Sequence, residues 1–153
     1  MRKIVPGNRA EHLRVGIVLS RFNAAIGEVL LQGAMRALNE AGVGEGAVVL
    51  VTVPGALEAP LVLQRMAQTG DYDALVALGA VVRGETYHFE IVANESAAGV
   101  ASVQLEFGIP IGNGILTTDS DQQAMERADG KGHAAAAAAL EMANVLTAID
   151  DAP

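Results

Sequence analysis

Four aliphatic runs punctuate the chain, and between them the apolar positions fall into helical spacing. Val15 to Leu19 is a short β-branched and aliphatic run, which predicts a buried strand, and it stops at the polar Ser20-Arg21-Phe22-Asn23. From Glu28 to Ala41, Leu30, Ala34, Ala37, Leu38 and Ala41 recur three and four apart. This predicts an amphipathic helix ended by Gly42. Ala47 to Val53 is the second run, closed by Pro54-Gly55. Ala56 to Thr69 then predicts a helix with Gly70 at its end, where Pro60 sits in a first turn that has no N–H bond to lose. The third run, Ala74 to Val82, ends at Arg83-Gly84-Glu85-Thr86-Tyr87 and is followed by a helical stretch, His88 to Phe107. The fourth begins near Ile109, passes Gly112-Asn113-Gly114 and continues to Thr118. Two helices are predicted to close the chain: Ser120 to Ala128, capped by Ser120, and Gly132 to Ile149, whose alanines Ala134 to Ala139 allow close packing.

Alternating strands and helices, with both faces of each strand apolar, predict an α/β fold: a central four-stranded parallel sheet covered on both sides by helices. Crossovers should be right-handed, and ligands should sit at the carboxyl ends of the strands. That rule selects three loops before any chemistry is considered: Ser20 to Ile26, Pro54 to Glu58 and Arg83 to His88. With no internal repeat and no linker, residues 1–153 are expected to form one domain. Residues 1–12 would be an N-terminal arm and 150–153 a frayed tail.

Composition narrows the class. The sequence is 51% hydrophobic but only 3% aromatic, so Ala, Val, Leu and Ile must fill the core. It has no cysteine, which excludes disulfides, thiolate zinc sites and cysteine nucleophiles. Ten basic against eighteen acidic residues give a net charge of −8, a surface that repels nucleic acid and anionic membrane. Met1 to His12 contains no apolar signal region, and Ala74 to Val82 is far short of the ~20 residues of a membrane helix. The expectation is a soluble, cytoplasmic protein with neither nucleic acid nor membrane as partner.

The loops carry the chemistry. His88 follows a buried strand at a helix start, where the positive end of the dipole favours a neutral ring able to shuttle protons. Position alone leaves this role evenly matched with a structural one. Arg83-Gly84-Glu85-Thr86 combines a cation, a flexible glycine and backbone N–H groups at a helix N-terminus, all suited to phosphate. Glu85 would serve through its backbone N–H, and viewed alone the tetrapeptide is better explained as an ordinary polar turn than as a phosphate site. Phe22 could stack on a planar ring or staple the following helix. Glu58, in a first helical turn, reads as a cap. No dinucleotide or P-loop fingerprint occurs, and His12 and His133 have no metal-ligand spacing and read as surface residues.

Taken together, Arg21-Phe22-Asn23, Val53 to Pro60, the block Gly79-Ala-Val-Val-Arg-Gly-Glu-Thr-Tyr-His-Phe-Glu90, Val92-Ala93-Asn94-Glu95, Gly114 to Thr118 and Lys131-Gly132 occur in a familiar order and spacing. The chain resembles the lumazine synthase family over roughly residues 13 to 149. The resemblance implies a three-layer flavodoxin-like fold. It also implies condensation of 5-amino-6-(D-ribitylamino)uracil with 3,4-dihydroxy-2-butanone 4-phosphate to give 6,7-dimethyl-8-ribityllumazine, phosphate and water, with no cofactor or metal. This is the penultimate step of riboflavin biosynthesis, which links the product to riboflavin synthase.

Carried over by position, the resemblance makes Phe22 the ring that stacks on the pyrimidine, with Asn23 beside it. Ala56, Leu57 and Glu58 would hold the ribityl chain, and Ala80, Val81 and Val82 would offer backbone contacts to the heterocycle. Glu85 and Thr86 would form the phosphate turn, Arg127 and Lys131 the cationic anchor, and His88 the proton-transfer residue. Asn113, at the opposite end of its strand, would serve an adjacent subunit of a pentamer, where many members carry an aromatic. The short link Ala128-Asp129-Gly130-Lys131 favours a pentamer or decamer over a sixty-subunit shell. A flavodoxin-like electron carrier would want a Ser/Thr-rich loop after the first strand and more aromatics than Phe22. A non-catalytic relative should lack His88 or Arg127.

Overall fold

The computed structural model describes residues Met1 to Pro153. Its elements run β1 (Val15–Ser20), α1 (Ala24–Glu40), β2 (Val48–Val53), α2 (Ala59–Thr69), β3 (Ala74–Val82), α3 (His88–Phe107), β4 (Ile111–Thr118) and α4 (Asp121–Asp150). The strands form one parallel sheet in the order β2-β1-β3-β4. The chain leaves β1 in one direction to β2, then returns to β1's other edge with β3. The crevice of such a sheet therefore opens between the carboxyl ends of β1 and β3.

The period-two alternation of side chains splits the core into two layers. Val15, Ile17, Val76, Leu78 and Leu116 face α1 and α4, where they meet Leu30, Ala34, Ala128 and Leu140. Val18, Leu75, Ala77, Val81 and Ile115 face α2 and α3, against Leu63, Met66, Val100 and Val103. The result is the four-stranded parallel sheet between helices that the alternating pattern predicts, in the three-layer, flavodoxin-like arrangement that the resemblance implies. No helix is long and apolar enough to cross a membrane.

Several expectations need correction. The two closing helices are one, since α4 runs unbroken through Asp129, Gly130 and Lys131. The glycines that read as a break are there for different reasons. A Cβ on Gly132 would collide with the backbone of α1 at Leu30 and Ala34, so this glycine lets the two helices touch main chain to main chain. Among the neighbouring alanines, Ala135, Ala136 and Ala139 are buried and Ala134, Ala137 and Ala138 exposed. Strand β2 is not covered on both faces in the single chain: it lies at the sheet edge, and Val49 and Leu50 are 39% and 45% exposed. Helix α1 begins at Ala24 rather than Glu28, because the Asn23 carbonyl accepts from the N–H groups of Ile26 and Gly27. His133 is half-buried, its Nε2 2.8 Å from Glu40 Oε2 across the α1–α4 seam. That bond is the main cause holding the Glu40 carboxyl below its ordinary range.

Candidate active site

Three loops meet over the carboxyl ends of β1, β2 and β3, and backbone bonds fix them to one another. Beyond the end of β1, Arg21 N–H donates to Val53 O at 2.8 Å and Phe22 N–H to Pro54 O at 3.1 Å, so the first two loops continue side by side. Asn23 then turns the chain in the left-handed region, with φ 58°, a conformation asparagine tolerates better than most residues. Its Nδ2 donates to Ala80 O at 3.1 Å, which ties the first loop to β3.

The second loop is shaped by Pro54-Gly55. A Cβ on Gly55 would stand 2.7 Å from the Phe22 ring, so the glycine makes room for that ring to lie against the loop. Phe22 remains 66% exposed. Ala56–Glu58 forms a single 3₁₀ turn leading into α2, and Glu58 Oε2 accepts from Gly55 N–H at 3.1 Å. Glu58 is thus the cap that its position suggests. Sequence reasoning missed Gly55, although the Pro-Gly pair at a strand end is the signal that could have found it.

The third loop leaves β3 at Val82, passes the exposed turn Gly84–Tyr87, and enters α3 at His88, whose N–H lies 3.4 Å from Thr86 Oγ1. A cavity of about 310 Å³ lies among the three loops. Phe22 and Asn23 line it from the first, Ala56, Leu57 and Glu58 from the second, and Ala80, Val81, Val82 and His88 from the third. The lining is mostly apolar, with one aromatic ring and the polar groups of Asn23, Glu58 and His88 placed around it, which suits a small molecule with a flat face and a few polar edges.

The remaining candidates lie elsewhere. Arg127 and Lys131 line a second, wider cavity of about 980 Å³ between the start of α3 and α4. Arg127 Nη1 donates to Gln123 O at 3.0 Å and leaves much of its guanidinium exposed. Glu85 and Thr86 are exposed on the turn and line neither cavity. Asn113, exposed on β4, is also outside both, its Oδ1 accepting from Ile115 N–H at 3.0 Å.

Arg83 corrects the reading of its tetrapeptide. Its guanidinium does not stand free for an anion: Nε donates to Asp119 Oδ1 at 2.9 Å, Nη1 to Glu90 Oε1, and the group lies 4.2 Å from the centroid of the Phe89 ring. The bonds it donates to Asp119, and next to Glu90, raise the arginine's affinity for its proton above the ordinary value. In return Arg83 holds the Glu90 carboxyl below its usual range. The partner residues Asp119 and Glu90 could not be paired with Arg83 from spacing alone.

Comparison with known proteins gives one consistent result. Residues 12–147 match the family model described as 6,7-dimethyl-8-ribityllumazine synthase. A protein of that name from Nitrosospira multiformis is 55% identical over 149 residues, 97% of this chain and 93% of the relative. One from Cupriavidus metallidurans is 57% identical over 92% of this chain and 83% of its own length. A third, from Methylobacillus flagellatus, is 54% identical over 95% and 98% respectively.

Proposed function

The chain belongs to the 6,7-dimethyl-8-ribityllumazine synthase family and is a transferase of that activity, and from this premise we propose how its residues divide the work. The reaction joins 5-amino-6-(D-ribitylamino)uracil to 3,4-dihydroxy-2-butanone 4-phosphate. The observation that carries the assignment of residues is the cavity shared by the three loops, which draws Phe22, Ala56 to Glu58, Ala80 to Val82 and His88 from distant parts of the chain.

In this reading the uracil stacks on the exposed face of Phe22, its edge bonds to backbone at Ala80 to Val82, and its ribityl chain runs along Ala56, Leu57 and Glu58. Asn23, bonded to Ala80 O, holds that edge in place. The uracil amine attacks the butanone carbonyl and loses water to form an imine. Phosphate is then eliminated, and the ring closes with loss of a second water. His88, on the cavity rim, carries protons between the nitrogen and the departing groups. Confining two reactants in one geometry supplies much of the remaining acceleration. Gly55→Ala is expected to push the Phe22 ring aside and raise KM for the uracil roughly 2- to 10-fold, the usual worth of an aromatic pair, with kcat nearly unchanged. An unaltered KM would count against stacking on Phe22.

Phosphate is held by the backbone N–H groups of the turn at Glu85 and Thr86, at the N-terminus of α3, together with Arg127 and Lys131. On a chain of net charge −8 a dedicated local cation is needed for an anionic substrate. Because Arg127 and Lys131 line a different cavity from His88 in one chain, they would, with Asn113, complete the site of an adjacent copy. Residues 1–153 would act as one domain of a homopentamer, or of a decamer of two such rings, rather than of a sixty-subunit shell. The reaction would run in the cytoplasm without cofactor, its product passing to riboflavin synthase.

The test is to mix purified protein with both substrates and follow lumazine by absorbance. Formation well above the spontaneous rate is expected. A rate equal to background, with tight lumazine binding, would make this a binding protein on the same scaffold. Arg127→Ala should raise KM for the butanone phosphate roughly 10- to 100-fold, the loss of a charged hydrogen-bonding partner, and leave KM for the uracil unchanged. Equal KM values for the phosphate substrate in variant and wild type would remove Arg127 from the anion site.

A further inference from the structure

We propose that Arg83 is a positioning residue for the reaction, which clasps the turn bearing His88 to the base of α4, its guanidinium engaged by Asp119, Glu90 and the Phe89 ring where it lines the wider cavity beside Arg127 and Lys131. The inference rests on the activity and the role of His88 argued above. Four contacts engage Arg83: its N–H donates to Thr118 O at 2.8 Å, Nε to Asp119 Oδ1 at 2.9 Å, Nη1 to Glu90, and its guanidinium covers the Phe89 ring. Arg83 immediately precedes the turn Gly84–Tyr87, while Phe89 and Glu90 immediately follow His88. The clasp therefore closes the loop at its two feet, with His88 at one of them.

The turn needs such a closure. Every residue from Gly84 to His88 is exposed, and the only side-chain hydrogen bond within the turn is the long one from His88 N–H to Thr86 Oγ1. Asp119 supplies the fixed point on the other side. Its N–H donates to Gln123 Oε1 at 2.8 Å, and the next residue, Ser120, caps α4 by accepting from Gln123 N–H at 3.1 Å. One side chain thus connects the imidazole's turn to the helix that carries Arg127 and Lys131. Lysine could not replace it, because only the guanidinium fork reaches two carboxylates while lying flat on a ring.

Exposed ion pairs contribute little to stability, so the expected consequence is geometric: a catalytic group misplaced by about an ångström can cost up to ~10²-fold in rate. Arg83→Lys should lower kcat about tenfold and leave KM for the uracil within about twofold, since Phe22 and the second loop are untouched.

The decisive experiment is a cycle of wild type, Arg83→Lys, His88→Ala and the double variant, with kcat measured at saturating substrates. A loss of about tenfold beside His88 and less than about twofold in its absence is expected, because no imidazole is then left to misplace. Equal losses in both backgrounds, or none in either, would overturn the proposal. Glu90→Gln opens the same clasp from its other arm and should reproduce the pattern; full activity in that variant would also overturn it. Failure of the underlying reading looks different: His88→Ala would match wild type, or wild type would match background, and the inference would fall with it.

Discussion

His88→Ala is expected to lower kcat about a hundredfold, at the low end of the ~10²- to 10⁴-fold range for a positioned proton donor or acceptor. Imidazole is the only side chain on the cavity rim whose two ring nitrogens can accept a proton at one and donate at the other. The one carboxylate there, on Glu58, already accepts from Gly55 N–H and is held as the cap of its turn, which leaves His88 as the mobile proton carrier. The loss should stop near the low end because the variant retains Phe22, the second loop and the backbone of β3, hence the alignment of the reactants. KM for both substrates should stay within about threefold of wild type, since the imidazole acts on the reacting atoms rather than on the ribityl or phosphate groups. Steady-state kinetics with each substrate varied in turn would check this, and an unchanged kcat would dismiss His88 as proton carrier.

Much of this site could be read in the sequence because its parts follow apolar runs. The ends of Val15–Ser20, Val48–Val53 and Ala74–Val82 mark where the loops begin, and the parallel sheet gathers them. What could not be read depends on contacts between elements far apart in the chain. Arg83 reads as an anion ligand from its tetrapeptide alone, and only its bond to Asp119, 36 residues away, occupies it otherwise. The Gly-Lys-Gly stretch looked like a break because isolated glycines disfavour helix, and only the neighbouring backbone of α1 explains why Gly132 is worth its cost. Val49 and Leu50 belong to an apolar run like the others, but periodicity carries no information about which strand becomes an edge.

Gly132→Ala is expected to destabilise the protein by about 3 kcal/mol or more, with a fall in Tm of roughly 6–12 °C for a chain of this size. The obstruction to the new methyl is the main chain of α1, at the Leu30 carbonyl and Ala34 N, so no rotamer change relieves it and the helices must move apart. Gly33 on α1 makes the reciprocal approach, toward the backbone of Asp129 and His133. Separation would strip packing from Leu30, Ala34, Ala128 and Ala136, all fully buried at this seam. Such a loss is a large part of the ~5–15 kcal/mol that holds a domain together. Gly130, two residues earlier in the same helix, provides the internal control. Nothing lies within 4 Å of a Cβ built there, and Gly130→Ala should stabilise by ~0.5–1 kcal/mol through helix propensity alone. Denaturant titration of both variants measures the difference, and a neutral Gly132→Ala would show that the two helices part freely.

The same pairing of α1 with α4 sets the order in which a ribosome can deliver a finished molecule. When β2 has emerged, β1 still has an open edge that waits for β3, and that edge belongs to a mostly aliphatic strand of the kind that recruits other chains. Even with the sheet complete, the seam of α1 around Gly33, Ala34 and Ala37 stays uncovered until the thirty residues of α4, which follow every strand in chain order, have emerged. Nascent chains stalled before that point therefore carry a bare apolar stripe, and are the forms that chaperones and proteases would meet first.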